Sequence, residues 1–138
     1  MAYISQDDKA NINAALKPIL KKYGVKGSLS IRNYSTIVLT LKSGVIDFIA
    51  NSNRVCSASH YQVSQGFKPN TSGYAQVNIY WYQEHYDGKA KAFIKEALMA
   101  LKSAGWYDES DIQTDYFNTA YYIDINIGKW DKPYIVER

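Results

Sequence analysis

The chain has 138 residues, 46% of them hydrophobic and 21% charged, which fits one globular domain of ordinary size, 1–138, able to fold without cross-links. A net charge of +3 is too small to argue by itself for a nucleic-acid or anionic-membrane partner. The one cysteine, Cys56, excludes an intramolecular disulfide and suits a reducing compartment.

The N-terminal segment has neither a basic region nor an apolar run, so no export signal is expected. No stretch approaches the roughly 20 apolar residues that span a bilayer, so no membrane partner is expected either. Ser5 and Asp8 have the spacing of a capping box, and Asp7 and Asp8 suit the positive end of a helix dipole. Ile12, Ala15, Leu16, Ile19, Leu20 and Tyr23 recur at helical spacing, and Gly24 offers a left-handed stop. A helix is predicted over 6–23, with a kink at Pro18.

The period then switches to two. Leu29 and Ile31 alternate with polar residues, Asn33-Tyr34-Ser35 reads as a turn, and Ile37, Leu39 and Leu41 resume the alternation. This predicts a hairpin. The apolar run from Val45 to Ala50 predicts a third strand, buried on both faces. From 51 to 73 periodicity disappears in favour of Ser, Asn, Gln and Gly, a long polar loop of the kind that tends to be functional or disordered.

Ala75 to Tyr82 predicts a strand, with Val77, Ile79 and Trp81 on one face and Asn78, Tyr80 and Tyr82 on the other. Asp87 is placed to cap a second helix whose apolar stripe is Ala90, Phe93, Ile94, Ala97, Leu98 and Leu101, with Gly105 as its stop. An acidic connection carries Asp108, Glu109, Asp111 and Asp115. Thr119 to Ile127 predicts the last clear strand. Tyr121, Ile123, Ile125 and Ile127 face one way, and Tyr122, Asp124 and Asn126 the other; Tyr134 to Val136 predicts a short edge strand. The fold class is therefore α+β, an antiparallel sheet of about four to five strands with two amphipathic helices packed on it.

Tyrosine is the unusual residue, 13 of 138. Its large ring and polar tip suit half-buried sheet faces and binding surfaces. The expected contact residues are Tyr80, Tyr82, His85, Tyr122, Asp124 and Trp130, together with the acidic residues Asp108, Glu109, Asp111 and Asp115. The acidic segment lacks the spacing of a calcium-binding loop, and no metal or cofactor is expected. Glu84 and His85 could transfer protons in a small hydrolase, but neighbours on a strand point to opposite faces. No phosphate-binding, dinucleotide-binding or nucleophile-elbow motif is present, so the expectation is binding rather than catalysis. An open sheet face bearing Asn78, Tyr80, Tyr82, Tyr122, Asp124 and Asn126 could also stack a nucleotide or single-stranded nucleic acid.

Several stretches resemble a known family: Ala2-Tyr3-Ile4-Ser5-Gln6, Leu20-Lys21-Lys22-Tyr23-Gly24-Val25-Lys26-Gly27, and Ser43-Gly44 with Ile46-Asp47-Phe48-Ile49. Tyr80-Trp81-Tyr82-Gln83-Glu84-His85-Tyr86, Asp111-Ile112-Gln113-Thr114-Asp115-Tyr116-Phe117, and the run from Tyr122 to Tyr134 continue it. They look like small phage proteins similar to the large polyvalent protein-associated domains, which occur free-standing and within long phage and plasmid polypeptides. The resemblance covers nearly the whole chain outside 51–73. It implies a setting, the host bacterial cytoplasm during infection, and a role: accessory proteins of this kind often bind host machinery or blunt host defence.

Overall fold

A computed structural model describes residues 3–57, 66, 73–106, 120–129 and 131–137. The element order is α1 (Gln6–Tyr23), β1 (Val25–Arg32), β2 (Thr36–Gly44), α2 (Phe48–Ser57), β3 (Ala75–Val77), α3 (Tyr82–His85), α4 (Gly88–Leu101), β4 (Tyr122–Ile127) and β5 (Ile135–Val136). Helices and a five-stranded sheet make the chain α+β.

The first helix forms where its signals stand. The Ser5 hydroxyl accepts from the Asp8 amide at 3.0 Å, and the Asp8 carboxylate accepts from the Ser5 amide at 3.1 Å, a reciprocal capping box. Gly24 ends the helix in the left-handed region, φ 65°, which a side chain would disfavour. The helix continues through Pro18 to Tyr23.

Asn33 and Tyr34 both have positive φ and close the β1–β2 hairpin as expected. The sheet differs from an all-antiparallel one in its middle. Its order is β1-β2-β4-β3. β2 pairs antiparallel with β1 but parallel with β4, Thr36–Leu41 lying beside Tyr122–Ile127. β5 extends the same edge by pairing parallel with Ser43–Gly44, while β3 pairs antiparallel with β4. A parallel pair requires a long crossover, and the chain from α2 to α4 supplies it.

Two predicted strands are corrected. Of the run Val45–Ala50, Val45–Asp47 bend and Phe48–Ala50 open α2, because the Asp47 carboxylate accepts from the Ala50 amide at 3.0 Å and caps a helix there. Phe48 and Cys56, two turns apart, then face the core. The strand predicted over 75–82 stops at Val77. The Asn78 side-chain oxygen accepts from the amides of Tyr80 and Trp81, at 3.0 and 3.2 Å, and turns the chain into α3.

α1 and α4 pack together on one face of the sheet. The stripe Ala90, Phe93, Ile94, Ala97, Leu98 and Leu101 of α4 is buried throughout, as expected. Asp87 stands at its N-cap position, but its carboxylate accepts no amide of that helix. It binds the Asn51 side-chain amide at 2.8 Å and pairs with Arg54, tying α2 to the entry of α4. Arg54 first, and then Asn51, holds the Asp87 carboxyl below its ordinary pKa. On the other side of the bundle, Glu96 of α4 receives hydrogen bonds from Tyr23 and Lys22 of α1.

The core contains a chain of aromatic rings. Tyr23, Phe93, Phe48 and Tyr134 follow one another with centroids 5.5 Å apart at each step. Four tyrosines among the described residues, Tyr82, Tyr86, Tyr121 and Tyr134, are buried in this core. Burial pushes the Tyr86 phenol from 10.0 up to about 12, against an opposing hydrogen bond from Ser52, and burial raises Tyr121 and Tyr134 as well. A raised folded-state pKa means the native state holds its proton more tightly. The stabilisation is therefore complete below pH 10 and is lost as pH rises through about 12. The Tyr86 share is on the order of 2 kcal/mol. Denaturation midpoints measured from pH 9 to pH 12 should fall steeply above pH 10, and Tyr86→Phe should flatten that fall. An unchanged pH slope in the variant would remove Tyr86 from the account.

Candidate functional site

The face of the sheet opposite the helices is polar. Strand register sets its members in rows: Arg32, Thr36 and Tyr122; Ser30, Val38 and Asp124; Ser28, Thr40, Asn126 and Gln76. The intervening residues, including Leu29, Leu39, Ile125 and Val77, point into the core, because strand side chains alternate.

At the Tyr122 end of this face lies an open cleft of about 470 Å³. Gln76, Asn78, Tyr80, Trp106, Tyr122 and Asp124 line it. The β3–β4 register, continued, would set Tyr80 opposite Tyr122; the Asn78 turn ends the strand first and still leaves Tyr80 lining the cleft with Tyr122. The Trp106 indole donates to the Tyr121 carbonyl at 2.8 Å, and Lys102 sits 4.3 Å from the centre of its ring. These contacts fix the indole as a wall of the cleft. Arg32 reaches across β2 to pair with Asp124, so the carboxylate at the cleft is held in place by a guanidinium.

Aromatic side chains extend beyond the cleft. Tyr122 is 50% exposed, Tyr80 63% and its neighbour Trp81 57%. Tyr3 and Tyr34 are also exposed. Backbone hydrogen bonds bring their segments to the Tyr122 end of the sheet: the amide of Tyr122 donates to Ser35, that of Ile4 to Tyr34 and that of Tyr3 to Ala120. Five large rings thus stand on one end of the molecule. A ring with a polar tip gives contact area at low entropic cost, which is why tyrosine and tryptophan dominate binding surfaces.

Of the contact residues expected from sequence, the structure brings Tyr80, Tyr122 and Asp124 together. It does not bring Tyr82 or His85 to them. Tyr82 opens α3 and is buried in the core, because the Asn78 turn breaks the alternation that had placed it beside Tyr80. His85 ends α3, which packs against α2, and it does not line the cleft. Glu84 and His85 therefore share a helical turn, not a strand. Asp108, Glu109, Asp111, Asp115 and Trp130 lie outside the described residues, as does most of the segment 51–73 expected as a loop, whose first seven residues are instead the end of α2. Among the described residues no group of three or more His, Cys, Asp or Glu is arranged to hold a metal ion.

Trp106, Gln76 and Ile79 line the cleft without having been singled out in the sequence. Gln76 was legible: it lies on the same strand face as its partner Asn126. Trp106 carried no signal beyond following a glycine. No protein-family model matches this chain, and neither a curated protein nor a solved structure matches it significantly.

Proposed function

We propose that the chain is a phage-encoded accessory protein that acts by contact, binding and inhibiting a host defence or regulatory protein in the bacterial cytoplasm. The observation that carries this reading is the exposure of Tyr3, Tyr34, Tyr80, Trp81 and Tyr122 at one end of the sheet, where Tyr80 and Tyr122 line a cleft. A few aromatic anchors beside a pocket, with polar groups at their edge, are what a protein interface concentrates its energy in. Asn78, Gln76 and Asp124 supply the polar edge. The sequence resemblance to phage accessory proteins supplies the cellular setting. No described helix is long and apolar enough to cross a membrane, which agrees with a partner met away from the bilayer.

The test is a capture from infected cells followed by quantitative mass spectrometry, with the native chain and with Tyr80→Ala/Tyr122→Ala. The native chain should recover one host protein in stoichiometric amount. The double variant should recover it at least roughly 30-fold less efficiently, the effect of losing even one hot-spot residue worth about 2 kcal/mol. Both side chains are exposed, so the variant should keep the native circular dichroism spectrum. Recovery of nothing above an untagged control would end this reading.

A further inference from the structure

The other end of the polar face has the opposite character. About 20 Å along β4 from Tyr122, Gly128 and Lys129 form part of two adjoining cavities. One, of about 260 Å³, is lined by Lys42, Lys129 and Lys132 together with Thr40, Gly128 and Pro133. The other, of about 450 Å³, continues over the sheet and is lined by Ser28, Ser30, Thr40, Asn126, Arg32 and Tyr74. Thr40, Gly128 and Lys129 belong to both. Neither cavity has a described carboxylate in its wall.

The lysines are held close rather than scattered. Lys129 and Lys132 exchange backbone hydrogen bonds in both directions, at 2.8 and 3.1 Å, as a bridged pair. Residues paired in this way project to the same side, and like charges placed so destabilise each other. Lys42 joins them from the end of β2. Among the described residues none of the three forms an ion pair; the four pairs that exist use Lys22, Lys26, Arg32 and Arg54. Three lysines line one small cavity whose wall holds no described carboxylate, an arrangement that an anion would relieve.

We propose that this pair of cavities binds a nucleoside phosphate. The phosphoryl group sits among Lys42, Lys129 and Lys132, where ammonium groups act as point charges for phosphate oxygens. The sugar and base extend over the row Ser28, Ser30, Thr40 and Asn126, whose hydroxyls and amide match sugar hydroxyls and base edges. The Tyr74 ring supplies an aromatic wall. The volumes suit a ligand of mononucleotide size. The aromatic cleft at the Tyr122 end carries Asp124 and no lysine, so it does not share this preference.

The same chemistry is offered by a free nucleotide and by a nucleotide within a single strand, and titration separates them. Wild-type chain would be titrated in low salt with the four nucleoside 5′-monophosphates, with inorganic phosphate, and with an eight-residue single-stranded oligonucleotide. A monophosphate should bind, and 0.3 M salt should weaken it. Lys129→Gln/Lys132→Gln should weaken it at least tenfold; Tyr74→Ala should weaken the monophosphate while leaving inorganic phosphate unchanged. Tyr80→Ala/Tyr122→Ala should bind as wild type does, which keeps this site distinct from the partner surface. Tighter, steeply salt-dependent binding of the oligonucleotide assigns the site to a strand; equal or weaker binding assigns it to a free nucleotide. If neither monophosphate nor oligonucleotide binds at low salt, or if the lysine variant binds as tightly as wild type, the proposal is wrong. Both altered lysines are exposed, so their loss leaves the fold intact.

Discussion

Phe93→Ala should cost about 4 kcal/mol of stability, the largest loss expected from any single truncation in this core. Phe93 is fully buried and touches rings from two other elements, Tyr23 of α1 edge-on and Phe48 of α2 at a tilt. Truncation removes the transfer free energy of a benzyl group and leaves a cavity walled by three separate elements, which cannot all collapse inward together. Denaturant titration should show a lower midpoint with an unchanged slope, since the unfolded surface hardly differs. Met99→Ala, on the exposed side of the same helix, should change stability by no more than about 0.5 kcal/mol. Because Phe48 and Phe93 share one contact, the double truncation should cost less than the two single losses added. A loss under about 1.5 kcal/mol for Phe93→Ala would mean that the aromatic chain is not the centre of the fold.

The parts of the molecule legible in the sequence are those governed by local physics. The capping box of Ser5 and Asp8, the stripe of α4 and the alternation of β4 each depend on residues within a few positions of one another. The failures have two causes. In one, a side chain competed with the backbone. Asp47 capped a helix in an apolar run that has no period to separate strand from helix, and Asn78 ended a strand whose pattern continued in sequence. In the other, the decisive contact was remote. Nothing near Thr36–Leu41 announces a parallel partner more than eighty residues later.

The candidate surfaces divide in the same way. Tyr122 and Asp124 were legible because strand alternation alone puts them on one face, and Tyr80 because the turn that ended its strand happened to keep it there. Tyr82 was lost to that same turn. The basic end was not legible, since Lys42 and Lys132 lie far apart in sequence and meet only through the β2–β4 pairing and the bridge at Lys129. A net charge of +3 says little about a chain that gathers three lysines around one cavity. What matters for an anion is the local concentration of charge, which the topology creates.

Gly128→Ala should be the second most damaging change, costing about 3 kcal/mol, although it adds a single methyl group. Gly128 has φ 71°, in the left-handed region, where a side chain costs roughly 1–2 kcal/mol. A Cβ there would also lie 2.5 Å from the Tyr134 amide nitrogen and 2.7 Å from the Gly73 carbonyl oxygen. Those two atoms are hydrogen-bonded to each other at 2.8 Å, so the methyl group would press on a bond joining the C-terminal segment to the approach to β3. Neither atom belongs to a flexible side chain that can swing aside, and losing the bond adds about another 1 kcal/mol or more. The damage should travel inward. Tyr134 is buried against Phe48, and its hydroxyl donates to the Ile46 carbonyl at 2.8 Å, so displacing its backbone loosens one end of the aromatic chain. Gly105→Ala separates the contributions: Gly105 has φ 81°, but a Cβ there meets nothing within 4 Å, so it should show the conformational cost alone. Hydrogen exchange of the Tyr134 amide should accelerate in Gly128→Ala and not in Gly105→Ala. Equal stability losses in the two variants would show that the left-handed backbone, and not the collision with the Gly73–Tyr134 bond, is what position 128 requires of its residue.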